Sequence, residues 1–187
     1  MDNNIRRISF LGGPGAGKST AAAYVFSQMK LAGYHIELIN EYAKRWANER
    51  RVVKKYDQLL FLGKQSQYEY QALKGGFDYL ITDSPLLLNY VYSKLAFKES
   101  QPVTEAVKAI IREFERDFPA LYIFLRRDNK VYDHLGRFQS YEEACAIDDL
   151  TRQRFHEVFG NEKELIEVNY QDYDTIIKTI YSHINKQ

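Results

Sequence analysis

The chain has 187 residues, 45% hydrophobic and 27% charged, with a net charge of +1. That length suits one domain with a substantial core, over residues 1–187, and the balanced charge excludes a global field demanding a polyanionic partner. The single cysteine, Cys145, excludes an internal disulfide and suits a reducing cytoplasm, and no stretch is long and apolar enough to span a membrane.

In chain order, residues 5–11 turn apolar towards Leu11 and predict a first strand. Gly12-Gly13-Pro14-Gly15-Ala16-Gly17-Lys18-Ser19-Thr20 follows and fits the phosphate-loop pattern G-x-x-x-x-G-K-[ST]. Glycines let the backbone approach a ligand closely, and successive N–H groups make an anion nest. Lys18 is the candidate for the β- and γ-phosphates, and the Ser19 hydroxyl for a Mg²⁺ ion. An Ala-rich helix is expected over 19–32, its N-terminus adding partial positive charge where phosphates would lie. Residues 34–39 alternate and predict a second strand, so strand, helix and strand make a βαβ unit with a parallel sheet. Ligands in such sheets sit at the carboxyl ends of strands, which puts Asn40 and Glu41 on the phosphate-loop edge.

Residues 41–51 predict a helix, and Lys44, Arg45, Arg50, Arg51, Lys54 and Lys55 form a basic cluster beside that edge. Such a run is either a solvated face or a phosphate-binding rim. Asp57 can cap the next helix, to about Leu73, with Leu59-Leu60-Phe61-Leu62 expected towards the sheet. Gln58, Leu62, Gln65 and Glu69 share one stripe by helical spacing, so Gln65 is a candidate to read a base or amide edge. Residues 77–83 predict a third strand ending in Asp83, a carboxylate placed for Mg²⁺ or an acceptor hydroxyl. Helices over 86–97 and 103–118 are separated by a break at Gln101-Pro102.

Residues 119–125 predict a buried fourth strand that runs into Arg126 and Arg127. The polar stretch after it carries Gly136 and Arg137 and suits a lid over phosphates, from about 127 to 140. Ser140 with Glu143 makes a capping box for a helix to about Phe159, on which Asp148 and Arg152 can pair. A fifth strand over 164–168 and a closing helix over 173–184 complete an α/β three-layer sandwich around a five-stranded parallel sheet.

The phosphate loop, Ile39-Asn40-Glu41-Tyr42-Ala43-Lys44-Arg45, Tyr56-Asp57-Gln58, Gly63-Lys64-Gln65, Thr82-Asp83-Ser84-Pro85 and Gly136-Arg137-Phe138-Gln139 together resemble the P-loop nucleoside and nucleotide kinases. Within them the chain is most similar to the ribosylnicotinamide-kinase-like group, often labelled AAA-family ATPase and common in tailed phages. The resemblance implies a P-loop NTPase fold with a lid, ATP and Mg²⁺ as donor and cofactor, and γ-phosphoryl transfer to a nucleoside, nucleotide or related hydroxyl acceptor. It implies Lys18, Glu41, Asp83, Arg126, Arg127 and Arg137 as the catalytic set. Gly12 to Thr20 would hold the nucleotide, Ser19 and Asp83 the metal, and Glu41, Arg45, Gln65 and Asp83 the acceptor. Either Glu41 or Asp83 can be the base; the resemblance favours Glu41.

Nucleoside kinases often follow the third-strand carboxylate with arginine, whereas Ser84 stands here. A matching arginine contact would have to come from Arg45, Arg126 or Arg137. No sensor region marks a ring-forming motor. Two other readings stand beside the small-molecule kinase: a kinase of hydroxymethylated pyrimidine in DNA, and a nucleotide-binding switch without an acceptor. A monomer or homodimer in the cytoplasm, of the host if phage-encoded, completes the expectation.

Overall fold

In the computed structural model, residues 5–49, 51–97, 101–128 and 140–184 are described, without the side chains of Arg45, Ala47, Asn48 and Gln101. Five parallel strands lie in the order β2-β3-β1-β4-β5: β1 Arg7–Leu11, β2 Ile36–Ile39, β3 Tyr79–Thr82, β4 Ala120–Arg126 and β5 Leu165–Asn169. The helices are α1 Lys18–Leu31, α2 Ala43–Asn48, α3 Asp57–Lys74, α4 Leu86–Phe97, α5 Gln101–Asp117, α6 Tyr141–Phe159 and α7 Tyr173–Ile184. β1 is central, and its two neighbours are reached by crossovers in opposite directions. The phosphate loop therefore leaves the sheet at the point where strand order reverses, the natural crevice of an open parallel sheet.

Strand alternation assigns the layers. Ile8 and Phe10 of β1, Ile81 of β3 and Leu121, Ile123 and Leu125 of β4 face α1 and α7, which answer with Val25, Met29, Ile176 and Ile180. Leu11, Tyr122 and Phe124 face the other way, against Leu87 and Tyr90 of α4, Ile111 of α5 and Phe155 of α6. Each fully buried side chain of this size contributes about 1.5–3 kcal/mol, so the two clusters hold the crevice rigid from both sides.

Local differences from the sequence reading have physical causes. α2 is shorter than 41–51, and Glu41 lies outside it with its N–H donating to the Asp83 carboxylate at 3.0 Å. Asp57 is the first residue of α3, not its cap: Tyr56 occupies the cap position, and the Asp57 carboxylate accepts the Lys54 N–H at 2.7 Å. Only Phe61 and Leu62 of the apolar run turn inward, while Leu59 and Leu60 are exposed. Pro102 falls in the first turn of α5, where its missing N–H has no helical partner to lose. Ser140 and Glu143 do form the reciprocal capping box. Cys145 is only partly buried.

Candidate active site

The phosphate loop runs from β1 into α1. Gly17 holds the left-handed conformation that starts the helix, at φ 82°, and a Cβ there would also meet the Tyr170 ring at 3.2 Å. No side chain caps the first turn of α1, which leaves its amides for an anion. The Lys18 ammonium donates to the Gly12 and Gly13 carbonyls at 2.7 and 2.9 Å, inside the loop's own curve. Burial pushes its pKa down, opposed by the charges of Glu41, Asp83 and Asp148.

Glu41 and Asp83 arrive from adjacent strands, in the register that pairs Ile39 with Thr82. Asp83 is 2% exposed. Its Oδ2 accepts from the Ser19 hydroxyl at 2.5 Å, and its Oδ1 accepts the Glu41 N–H at 3.0 Å. Burial pushes the Glu41 carboxyl above its usual range; Lys18 opposes the rise and Asp83 adds to it. Two acids in one crevice therefore differ in kind. Asp83 accepts one hydrogen bond on each carboxylate oxygen, while burial favours the protonated form of Glu41.

The metal assigned to Ser19 and Asp83 fits this chemistry. Hard oxygens from a hydroxyl and a carboxylate meet beside the phosphate loop, and Mg²⁺ takes few protein ligands beside waters and phosphates. Among the described residues no group of three or more His, Cys, Asp or Glu offers an all-protein metal cage.

A cavity of about 750 Å³ opens from the loop. Pro14 to Thr20 line one end, with Glu41 and Lys44 beside them. Val52, Val53, Phe61, Leu88 and Tyr92 line the other, with the amides of Gln58 and Asn89 among them. Asn89 is 7% exposed, and neither amide makes a side-chain hydrogen bond among the described residues. Phe61 is braced from behind by Trp46, whose ring stands edge-on at 5.1 Å. Arg51 stacks on Trp46 and pairs with Glu49 at 2.6 Å at the rim.

Two expected residues stand away from the cavity, and a third, Arg127, stands beside Gly13 but is already paired. Gln65 does not face the cavity: it is 2% exposed and donates to Glu69 at 3.1 Å and Thr82 at 3.2 Å. The cause is the stripe itself, since Glu69 on the same face needs a buried donor. Arg126 is exposed, pairs with Asp128 at 3.7 Å and does not line the cavity. Arg127 is locked to Asp148, with Nε to Oδ2 at 2.6 Å and Nη2 to Oδ1 at 3.2 Å, and its Nη1 is buried with no partner among the described residues. Arg137 and most of the expected lid lie outside the described residues, and Arg45 is placed only as a backbone position on α2.

Asp148 itself was not foreseen as part of the site. Rather than pairing with Arg152, it accepts the Gly13 N–H at 2.5 Å while holding Arg127. Arg152 instead meets Glu167 and Asp149. A Cβ at position 13 would stand 2.6 Å from the Ala144 carbonyl and 2.9 Å from Asp148, so α6 packs directly on the loop's glycine. The doubled Gly12-Gly13 was the one available signal that something approaches there.

A family profile described as an AAA domain matches residues 7–175. No curated protein matches the chain. Among solved structures, the crystal structure of NadR protein in complex with NR superposes with a TM-score of 0.73 at 14% identity, over 97% of this chain and 52% of that one. The chain thus spans about half the length of NadR. The crystal structure of APE1195 superposes with a TM-score of 0.53 at 17% identity, over 98% and 96% of the two chains. Among the described residues no helix is long and apolar enough to cross a membrane. With its phosphate loop at the reversal of a five-stranded parallel sheet, the chain has the P-loop kinase-like NTPase fold and belongs to this AAA-domain family.

Proposed function

We propose that the protein is an ATP- and Mg²⁺-dependent phosphotransferase that moves the γ-phosphoryl group to a hydroxyl of a nucleoside- or nucleotide-type acceptor. One observation carries the reading: one chamber is lined by the phosphate loop, by Glu41 and by the aromatic and amide side chains of Phe61, Tyr92, Gln58 and Asn89. A protein that only bound or hydrolysed ATP has no use for that chamber, whereas a transferase needs a second substrate there.

Phosphoryl transfer asks for positioning and charge more than covalent chemistry. Lys18 would exchange its two carbonyl partners for the phosphates, which the uncapped amides at the start of α1 also attract. Ser19 and Asp83 would hold Mg²⁺, whose charge offsets that of the phosphates. Glu41 would take the proton of the attacking hydroxyl; its raised pKa makes it a stronger base than an ordinary carboxylate. Phe61 and Tyr92 would flank a flat ring, with Gln58 and Asn89 reading its polar edge. Arg137, and Arg127 through its unpartnered Nη1, would supply positive charge to the transferring group.

A second reading has its own support. Lys44 lines the cavity, and Lys54, Lys55 and Tyr56, exposed and next in sequence to the lining Val53, extend a basic surface suited to an acceptor within a DNA strand. ATP consumption measured against nucleosides, nucleoside monophosphates, the NR that NadR holds and hydroxymethylated DNA tests both. Turnover with a free nucleoside supports the first reading. Turnover confined to DNA, with a steep salt dependence, supports the second. Consumption indifferent to every acceptor would refute transfer altogether.

A further inference from the structure

A chain of buried polar side chains runs under the sheet face opposite α1 and ends at the Ser84 N–H, the residue after Asp83. It starts at Arg7, 1% exposed, which alternation turns towards α3 and α5. Its Nε donates to Glu69 Oε2 at 3.0 Å, and its Nη1 to Glu115 Oε2 at 3.0 Å and the Phe118 carbonyl at 2.7 Å. Glu69 Oε1 accepts from Gln65 Nε2 at 3.1 Å, and the same nitrogen donates to Thr82 Oγ1 at 3.2 Å. Thr82 Oγ1 also accepts the Ser84 N–H at 3.1 Å. Glu69 and Thr82 are fully buried.

The position of the last two bonds matters most. Strand pairing of β3 ends at Thr82, in register with Ile39 and Ser9. Asp83 and Ser84 come next, buried, with no ladder to hold them and Pro85 just beyond. The Ser84 N–H has one acceptor, the Thr82 hydroxyl, and that hydroxyl is itself fixed by Gln65. On the opposite face of the sheet Ile8, Phe10, Ile81, Leu121, Ile123 and Leu125 pack into the apolar cluster with α1 and α7. A polar chain on this face thus needs a reason beyond filling space.

We propose that Gln65 and Thr82 are positioning residues that fix the β3–α4 turn and so aim the Asp83 carboxylate at Ser19 and Glu41. Arg7 and Glu69 hold Gln65 in the rotamer that does this. Burial alone would push Glu69 towards protonation, and Arg7 opposes it. The Asp83 geometry rests on this chain whatever the ligand; its consequence for Mg²⁺ rests on the phosphotransferase reading.

Thr82→Val removes the hydroxyl at nearly constant shape, Thr82→Ser keeps it, and Gln65→Met removes the amide. In the nucleotide-free protein, hydrogen exchange at the Glu41 amide, which reports its bond to Asp83, and at Ser84 should quicken about tenfold in Thr82→Val and Gln65→Met. It should stay within about twofold of wild type in Thr82→Ser, and β4 amides should change little in all three. By calorimetry, the Mg²⁺-dependent gain in ATP affinity should fall about tenfold in the first two variants, with Mg²⁺-free ATP affinity within about twofold. Wild-type exchange and Mg²⁺ coupling in folded Thr82→Val would overturn the proposal, and so would equal acceleration across β4 or a Thr82→Ser variant that fails like Val. Should Thr82→Val not fold, Gln65→Met decides by the same readouts. If wild type gains no ATP affinity from Mg²⁺, the nucleotide reading fails, while the exchange comparison still decides the positioning claim.

Discussion

The two ends of the cavity are built in opposite ways. At the phosphate-loop end the charged and hydroxyl side chains are tied to the loop or to one another, Lys18 with two carbonyls, Ser19 with Asp83, Gly13 and Arg127 with Asp148, while the first amides of α1 stay uncapped. At the other end Gln58 and Asn89 have none among the described residues, and Val52 is 81% exposed on a segment without regular structure. A prepaid arrangement of dipoles costs no reorganisation when a ligand of fixed chemistry arrives, and triphosphate is such a ligand. The open end must admit and release a variable partner, so its polar groups wait for the ligand to satisfy them.

Breaking the organised end should have the largest effect. Lys18→Ala should lower transfer by ~10⁴-fold, in the range of charged groups acting on a transferring phosphoryl, with the melting transition retained. Single-turnover kinetics beside thermal unfolding checks it. Glu41→Gln should leave ATP affinity within about twofold by calorimetry and slow transfer by ~10²–10³-fold, as for a lost general base. Loss of ATP binding instead would move Glu41 to the donor side. Asp83→Asn should raise the Mg²⁺ concentration needed for half-maximal rate by about tenfold, because a neutral amide is a poorer hard-cation ligand. Asn89→Ala, at the open end, should raise the acceptor KM by roughly tenfold and leave kcat and the ATP KM nearly unchanged.

The smallest effect sharpens the same contrast through pH. The folded-state pKa of Glu41 is raised above its ordinary value of 4.5, so the group is protonated in a range where an unfolded carboxylate is ionised. Transfer should fall as pH drops through that raised value, and the acid limb of kcat/KM should lie above the ordinary carboxylate range. The stability contribution has the opposite sign. Protonation favours the folded state, so the burial of Glu41 weighs on stability above the raised pKa and is relieved as pH falls through it. Glu41→Gln should flatten both profiles, seen in kcat/KM and in melting temperature against pH.

Contiguity decided what the sequence made legible. Gly12 to Thr20 act largely through backbone shape and lie in one run, and the strands read over 34–39 and 77–83 put Glu41 and Asp83 at the carboxyl edge of the sheet. Asp148 and Gly13 are far apart in sequence, and helical spacing offered Asp148 a nearer partner in Arg152. The stripe through Gln58 and Gln65 was read correctly as one face. Which end of that face meets the cavity depends on Arg7, an arginine in a strand that turns inward because Glu69 and Glu115 await it. A lone arginine at a strand start looks solvent-facing until both carboxylates are placed. The acceptor chamber was illegible for the same reason: Phe61, Leu88 and Tyr92 are ordinary core letters until α3 and α4 splay beside the loop.

Phosphorus NMR of wild type with ATP, Mg²⁺ and the acceptor panel tests the central claim most directly, since it separates transfer from hydrolysis by product. The account predicts a new phosphoester signal that grows with one acceptor in step with ADP, and that Glu41→Gln delays without weakening ATP binding. Inorganic phosphate as the sole product, formed at the same rate with every acceptor and with none, would contradict it.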